Sequence, residues 1–408
     1  MNEKKSRVQN SILNIITTSF TSIISLFVSF ANRVIFLHFL NATYLGVSGL
    51  FSNILLIFSL VELGIGAALT QMFYKPFAEK DYVHLSQITY TTKVLLNIIG
   101  VIIIVLTIIF TPLLELFVND INAVPHMRMI FFLYGISSAV TYFYGYYRTI
   151  ITANQQAYKL IKIDVIWKIV TMCAQGIALW ISRNFIVYLI VQIILNFLLN
   201  IVIMIYVKKE IPQIDYNRKE FIHVNERKAL FKNVAGLSMS RIAVVITNGT
   251  DNILISKFLN LVTVGLASNY VMIQQSVNSL VESIFGPLLA SIGNLCATED
   301  DNTQYLYFHN LTFASFWIYG FCSICMFILS DPFIRLIFGE DYVIPELATF
   351  FLSINIFLSG LYRVALLFRT AQGLFWYGKF RPLIQSVINL IVSLILVKVF
   401  GELWTIYA

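Results

Sequence analysis

Apolar runs long enough to cross a bilayer recur from one end of this chain to the other, and they admit one kind of fold. A run of about 20 apolar residues spans hydrocarbon as a helix. No water reaches the backbone there, so each N–H and C=O must be paired inside its own segment. Only 12% of the 408 residues are charged, against roughly 25% in soluble domains. The sequence therefore specifies an all-α polytopic membrane protein with no room for a sizeable aqueous domain.

The apolar pattern places helices at about 9–36, 46–72, 85–110, 129–151, 160–181, 185–206, 233–256, 262–296, 305–329, 346–368 and 382–400. One stretch occurs twice. Phe39-Leu40-Asn41 is followed by Gly46, then by Ser59-Leu60-Val61-Glu62 and Gly66. Phe258-Leu259-Asn260 is followed by Gly265, then by Ser279-Leu280-Val281-Glu282 and Gly286, one residue out of register with the first set. Two blocks recurring in order point to a duplication, the way many transporters are built. The expected organisation is two parallel six-helix repeats around a central cavity. Residues 1–207 form the first bundle, 208–232 a basic linker and 233–408 a second bundle of about five helices, one short of the first and read as truncated.

The net charge of +7 is set by residues in short loops. That placement fits orientation by the positive-inside rule better than a polyanion partner, so no nucleic acid is expected. The linker carries Lys208, Lys209, Arg218, Lys219, Arg227, Lys228 and Lys232, whereas the loop at 111–125 holds Glu115 and Asp120 and no Lys or Arg. A cytoplasmic N-terminus follows, although the acidic run Glu299-Asp300-Asp301 gives it no support. The apolar stretch after the basic N-terminus has no small-residue cleavage site and reads as a retained first helix. Four cysteines fall in or near apolar segments, and Cys322-x-x-Cys325 lacks a second pair, so no disulfide framework or metal site is expected.

Ionisable residues at membrane depth are costly, so they are the functional candidates. Glu62 and Glu282 occupy equivalent places in the repeat. They read either as protonatable or cation-binding acids on a cavity, or as acids bonded to a neighbouring helix to brace a hairpin. Asn14, Thr18, Thr21, Ser25, Ser29 and Asn32 recur at spacings of three and four, a polar face that ends at Arg33. Ser238, Arg241, Asn248, Asp251 and Asn252 repeat the pattern in the seventh helix. Arginine suits a phosphate, which it grips with two parallel hydrogen bonds; the alternative for Arg33 is snorkelling to the interface. Lys93, Lys168 and Arg363 are weaker candidates of the same kind. No phosphate-binding Gly-rich loop, His pair or Ser/His/Asp arrangement is present, so an enzyme and a cofactor are not expected.

Asn32-Arg33, Tyr44-Leu45-Gly46-Val47, Glu62-Leu63-Gly64-Ile65-Gly66 and Tyr74-Lys75-Pro76 resemble the polysaccharide flippases of Gram-positive bacteria. So do Thr250-Asp251-Asn252, Ser268-Asn269-Tyr270, Ser291-Ile292-Gly293-Asn294-Leu295 and the stretch from Phe368 to Tyr377. Those flippases belong to the multidrug/oligosaccharidyl-lipid/polysaccharide exporter superfamily. The resemblance implies two bundles around a cavity that opens alternately to either side of the cytoplasmic membrane. It implies an undecaprenyl-diphosphate-linked oligosaccharide as cargo, with polysaccharide polymerase or assembly proteins as candidate partners. Arg33, Asn32, Arg241, Asn248, Asp251 and Arg363 are then the expected cavity residues, and Glu62 and Glu282 the coupling acids. A cation-coupled drug or metabolite exporter of the same superfamily is the rival, recognisable by a cavity rich in acids. A non-transporting scaffold in an assembly complex is the third reading.

Overall fold

The computed structural model describes residues 7–62, 64–154, 156–372, 374 and 380–408, all of them in helices, turns or loops and none in a strand. In order the helices are α1 (Arg7–Phe39), α2 (Ala42–Phe58), α3 (Ile65–Glu79), α4 (Tyr82–Phe110), α5 (Met127–Phe143), α6 (Gly145–Ala153), α7 (Ala157–Ser182) and α8 (Phe185–Glu210). They continue as α9 (Val224–Phe258), α10 (Leu261–Phe285), α11 (Leu288–Thr298), α12 (Asp301–Phe338), α13 (Glu346–Ala371), α14 (Arg381–Phe400) and α15 (Trp404–Tyr407). Every expected span falls on helix. Seven helical stretches among the described residues are long and apolar enough to cross a membrane unaided. The rest carry polar faces or are short, and need their neighbours to shield them.

Three spans expected to be continuous are broken. The second divides into α2 and α3 around a 3₁₀ turn, Ser59–Val61, and Gly64 at φ +84°. A left-handed residue cannot continue a right-handed helix, and only glycine adopts that conformation freely. The eighth span divides at Gly286-Pro287, where proline supplies no N–H to the ladder. The fourth divides into α5 and α6 at Tyr144. Glu62 and Glu282 thus stand beside helix breaks, where freed backbone groups and a bend make room for a polar side chain.

Helix α8 carries Lys208 and Lys209 in its last turn, where cations meet the negative end of the helix dipole. Helix α9 begins within the basic segment, capped by the Glu226 side chain on the His223 amide. The connection between them lies along α4. The Asp215 amide donates to Ser86 Oγ (2.9 Å), the Ile222 amide to Thr91 Oγ1 (3.2 Å) and Gln87 Nε2 to Glu220 Oε2 (3.0 Å). Gln87 and then Arg218 hold the exposed Glu220 carboxyl below its ordinary value of 4.5. A lowered folded value means the stabilisation is complete above about pH 4.5 and fades as pH falls through the folded value. Backbone amides of residues 215–222 are therefore expected to lose hydrogen-exchange protection below that pH, and Glu220→Gln to remove the pH dependence.

Asn41 and Asn260 both cap a following helix. Asn41 Oδ1 accepts from the Thr43 and Tyr44 amides, and Asn260 Oδ1 from the Thr263 amide (2.7 Å). Just beyond these caps, α2 and α10 cross in the most extensive contact between the two halves of the chain. Leu261 of α10 is buried in the same cluster as Leu45, Leu50 and Phe51 of α2. The crossing is backbone on backbone. A Cβ on Gly46 would lie 1.8 Å from the Leu261 carbonyl oxygen, and one on Gly265 would lie 2.1 Å from that of Ala42. Hydrogen bonds cross the halves at this same end, from Lys257 Nζ to the Glu115 carbonyl and from Asn119 Nδ2 to the Leu259 carbonyl.

Candidate functional site

The polar face of α1 meets α2, α7 and α8 around a cavity of about 440 Å³. Its charged and polar lining includes Arg33, Lys168, Asn32, Gln175, Tyr188 and Asn196, with no Asp or Glu among the described residues. The four-residue spacing of Ser25, Ser29 and Arg33 keeps them in one row. Ser29 Oγ donates to the Ser25 carbonyl (2.8 Å), leaving the row flush with the wall. Asn32 Nδ2 donates to Tyr188 OH (3.2 Å), while Asn32 Oδ1 is buried without a protein partner. Asn196 Nδ2 donates to Ser137 Oγ (3.3 Å).

Both cations of this cavity bond to neutral oxygens. Lys168 Nζ donates to the carbonyl (3.1 Å) and hydroxyl (3.0 Å) of Ser25. Arg33 Nη1 reaches across to the other half, donating to Ser268 Oγ (2.9 Å) and Asn269 Oδ1 (3.0 Å) on α10. Two positive side chains thus share a lining whose described residues offer them no carboxylate.

A second polar cavity, of about 750 Å³, lies in the C-terminal half among α10, α12, α13 and α14. Glu282 of α10 and Arg363 of α13 form an ion pair on its wall. The Arg381 guanidinium lies 3.4 Å from the centre of the Tyr362 ring, which also lines it. Arg363 Nε is buried without a protein partner.

Opposite the polar face of α1, an apolar groove of about 700 Å³ runs between α1 and the pair α10 and α12. Phe27, Phe30 and Val34 form one wall, with Leu280, Phe321 and Phe333 on the other. Cys322 and Cys325 lie in this wall as free thiols, in keeping with their place in the apolar pattern. Helix α1 therefore separates a polar chamber from an apolar one, with Arg33 and Val34 on its two sides.

The expected site residues are divided among these places. Asn32 and Arg33 share the first cavity, and Arg363 and Glu282 the second. Glu62 lines neither; Tyr142 OH donates to its Oε2 (3.3 Å), and Gly66 leaves room for the carboxylate, since a Cβ there would lie 2.7 Å from Oε1. Asp251 lies on α9 near Tyr407 of α15, also away from both. The side chains of Arg241 and Asn248, like those of Asn14 and Thr18, lie outside the described residues. Reading the sequence underrated Lys168 and missed Gln175, Tyr188 and Arg381. Lys168 did leave a signal, as an ionisable residue inside an apolar span, one turn beyond Asp164.

A family model described as "Polysaccharide biosynthesis protein" matches residues 38–345. The fold is similar to that of an inward-facing multidrug resistance MATE family transporter of the MOP superfamily. That similarity has a TM-score of 0.70 and 12% identity, over 95% of this chain and 93% of the other. An outward-facing structure of such a transporter gives a TM-score of 0.63 at 12% identity, over 97% and 90% of the two chains. A mutant of the Vibrio cholerae MATE transporter VcmN gives 0.63 at 14% identity, over 97% and 91%. No curated protein sequence is significantly similar to the chain.

Proposed function

The chain belongs to the polysaccharide biosynthesis protein family, and on that premise we propose that it is a membrane exporter of a lipid-linked oligosaccharide for surface polysaccharide synthesis. The observation that carries the reading is that Arg33 and Lys168 share a lining with no carboxylate among the described residues. Cations held at membrane depth without acids are costly to leave uncompensated, and their natural complement is an anion. A diphosphate supplies that charge and matches the arginine fork. Asn32, Gln175, Asn196 and Tyr188 offer the amides and hydroxyl that a sugar would need.

The apolar groove on the other side of α1 suits the polyprenyl tail, so head group and tail would pass on opposite faces of one helix. A tail that stays in hydrocarbon costs little to move. The sugar and diphosphate are what require a polar path. By the positive-inside rule, the basic connection along α4 faces the cytoplasm and the crossing of α2 with α10 faces outward. The halves then meet at their outer ends, which accords with the higher TM-score against the inward-facing structure, 0.70, than against the outward-facing one, 0.63. Rocking of one half against the other would expose the cavities alternately. The duplicated Ser-Leu-Val-Glu blocks make Glu62 and Glu282 the candidates for coupling to protons or Na⁺. Protonation of Glu282 would free Arg363 for substrate.

The test is a strain lacking the gene, with and without the gene restored, in which surface polysaccharide and undecaprenyl-diphosphate-linked repeat units are quantified. Loss of surface polymer with accumulation of the lipid-linked unit, both reversed by the 408-residue chain, is the expected result. Unchanged lipid pools with altered drug tolerance would replace this reading with a drug exporter.

A further inference from the structure

Arg33 is bound to the wrong half for a residue that serves only its own cavity. It stands on α1, yet Nη1 makes both of its hydrogen bonds to α10, on Ser268 and Asn269. Ser268 Oγ in turn donates to the Gly265 carbonyl (2.7 Å), one turn nearer the crossing. Gly265 is the residue that packs on the Ala42 carbonyl and the Gly46 amide of α2. A chain of direct contacts therefore runs from the cavity arginine to the place where the halves touch most closely. Asn269 is fully buried, and its Nδ2 has no protein partner. Its placement is explained by the single bond that its oxygen accepts from Arg33.

We propose that Arg33 is a clasp holding α10 against α1, and that an anionic head group in the N-terminal cavity opens the α2/α10 crossing by drawing the guanidinium away from Ser268 and Asn269. This rests on the reading of that cavity as an anion site. Ser268 and Asn269 are neutral acceptors, whereas a phosphate is a charged one, and charge-assisted bonds are about twice as strong. The exchange is favourable once the anion is present, and Lys168 on the facing wall adds to the pull. A ligand shifts a conformational equilibrium only through a difference in its interaction with the two states. The competition for Arg33 supplies that difference here. By linkage, what loosens the clasp must also tighten anion binding. Ser268 and Asn269 are positioning residues in this scheme, touching the substrate only through Arg33.

Val264 reports the state of the crossing. It is fully buried, and its Cγ1 lies 3.3 Å from where a Cβ on Gly49 of α2 would stand. The experiment uses the full chain in detergent, with its four native cysteines replaced and Val264→Cys introduced, and inorganic pyrophosphate as the probe. Labelling by a polar maleimide is expected to be slow without pyrophosphate and about tenfold faster when it saturates, the change that follows from exchanging one charge-assisted bond. Ser268→Ala and Asn269→Ala, made separately, are expected to raise the unliganded labelling rate by a similar factor and to tighten pyrophosphate binding by titration calorimetry. A merely structural role would raise labelling without tightening binding, and that result overturns the clasp. Binding of pyrophosphate with unchanged labelling overturns it too, while leaving the anion site standing. Absence of any binding overturns the anion reading and the competition together.

Discussion

Replacing Arg33 by Ala is expected to lower export of the lipid-linked unit on the order of a hundredfold, with the protein still inserted in the membrane. The proposed contact of the guanidinium with the diphosphate is a buried charge pair. Removing one member of such a pair costs about 2–5 kcal/mol, and each 1.4 kcal/mol is a factor of ten. The loss is read as accumulation of lipid-linked repeat units in the complementation strain. Arg33→Lys keeps the charge but not the fork, so it should restore part of the activity. Lys168→Ala should cost less, because a compact ammonium contributes charge without bidentate geometry. Activity of Arg33→Ala near that of the unchanged chain would leave the cavity without its proposed role. An acid introduced at Gln175, in the same lining, should be as harmful as loss of the arginine, since it would satisfy the cations internally.

The second large effect is expected at the crossing of α2 and α10. Gly46→Val or Gly265→Val puts side-chain carbon where a backbone carbonyl already stands, at 1.8 Å and 2.1 Å respectively for the Cβ alone. Backbone on both sides leaves no flexible side chain to yield, so the halves must part. Overpacking usually costs about 1–3 kcal/mol and sometimes more, and here relief is available by leaving the closed arrangement altogether. Both variants should therefore insert and stay folded, export little, and label rapidly at Val264→Cys with or without pyrophosphate. Gly293→Ala is the control: a Cβ there meets nothing within 4 Å, and transport and labelling should be unchanged. Slow labelling of the Gly46 and Gly265 variants would show that the crossing does not move.

Both effects depend on residues that the sequence made visible for different reasons. Gly46 and Gly265 stand out as members of a repeated block, but nothing in the block says that they touch each other. Arg33 stands out as the end of a polar stripe, but its partners lie more than 200 positions away on α10. Spacing along a helix gives the face a residue shares, never the helix that face will meet. The helix breaks at Gly64 and at Gly286-Pro287 were legible as Gly and Pro in the sequence, yet the apolar pattern runs through them. Hydropathy records which residues tolerate lipid and is blind to a change of backbone direction.

By itself, then, the sequence determined the class of the fold, the places of the spans and the faces that carry polarity. Each follows from local rules: apolar length against bilayer thickness, and a helical period of 3.6 residues that stacks positions three and four apart. The tertiary structure alone decided which polar faces share a chamber. It put Arg33 with Lys168 in a lining without acids among the described residues, placed Glu282 against Arg363 in another, and set Glu62 and Asp251 apart from both. The reason is that charge compensation at membrane depth is settled by packing between helices. Whether a buried cation meets a carboxylate or waits for a ligand depends on contacts across hundreds of residues, which no periodicity along the chain encodes.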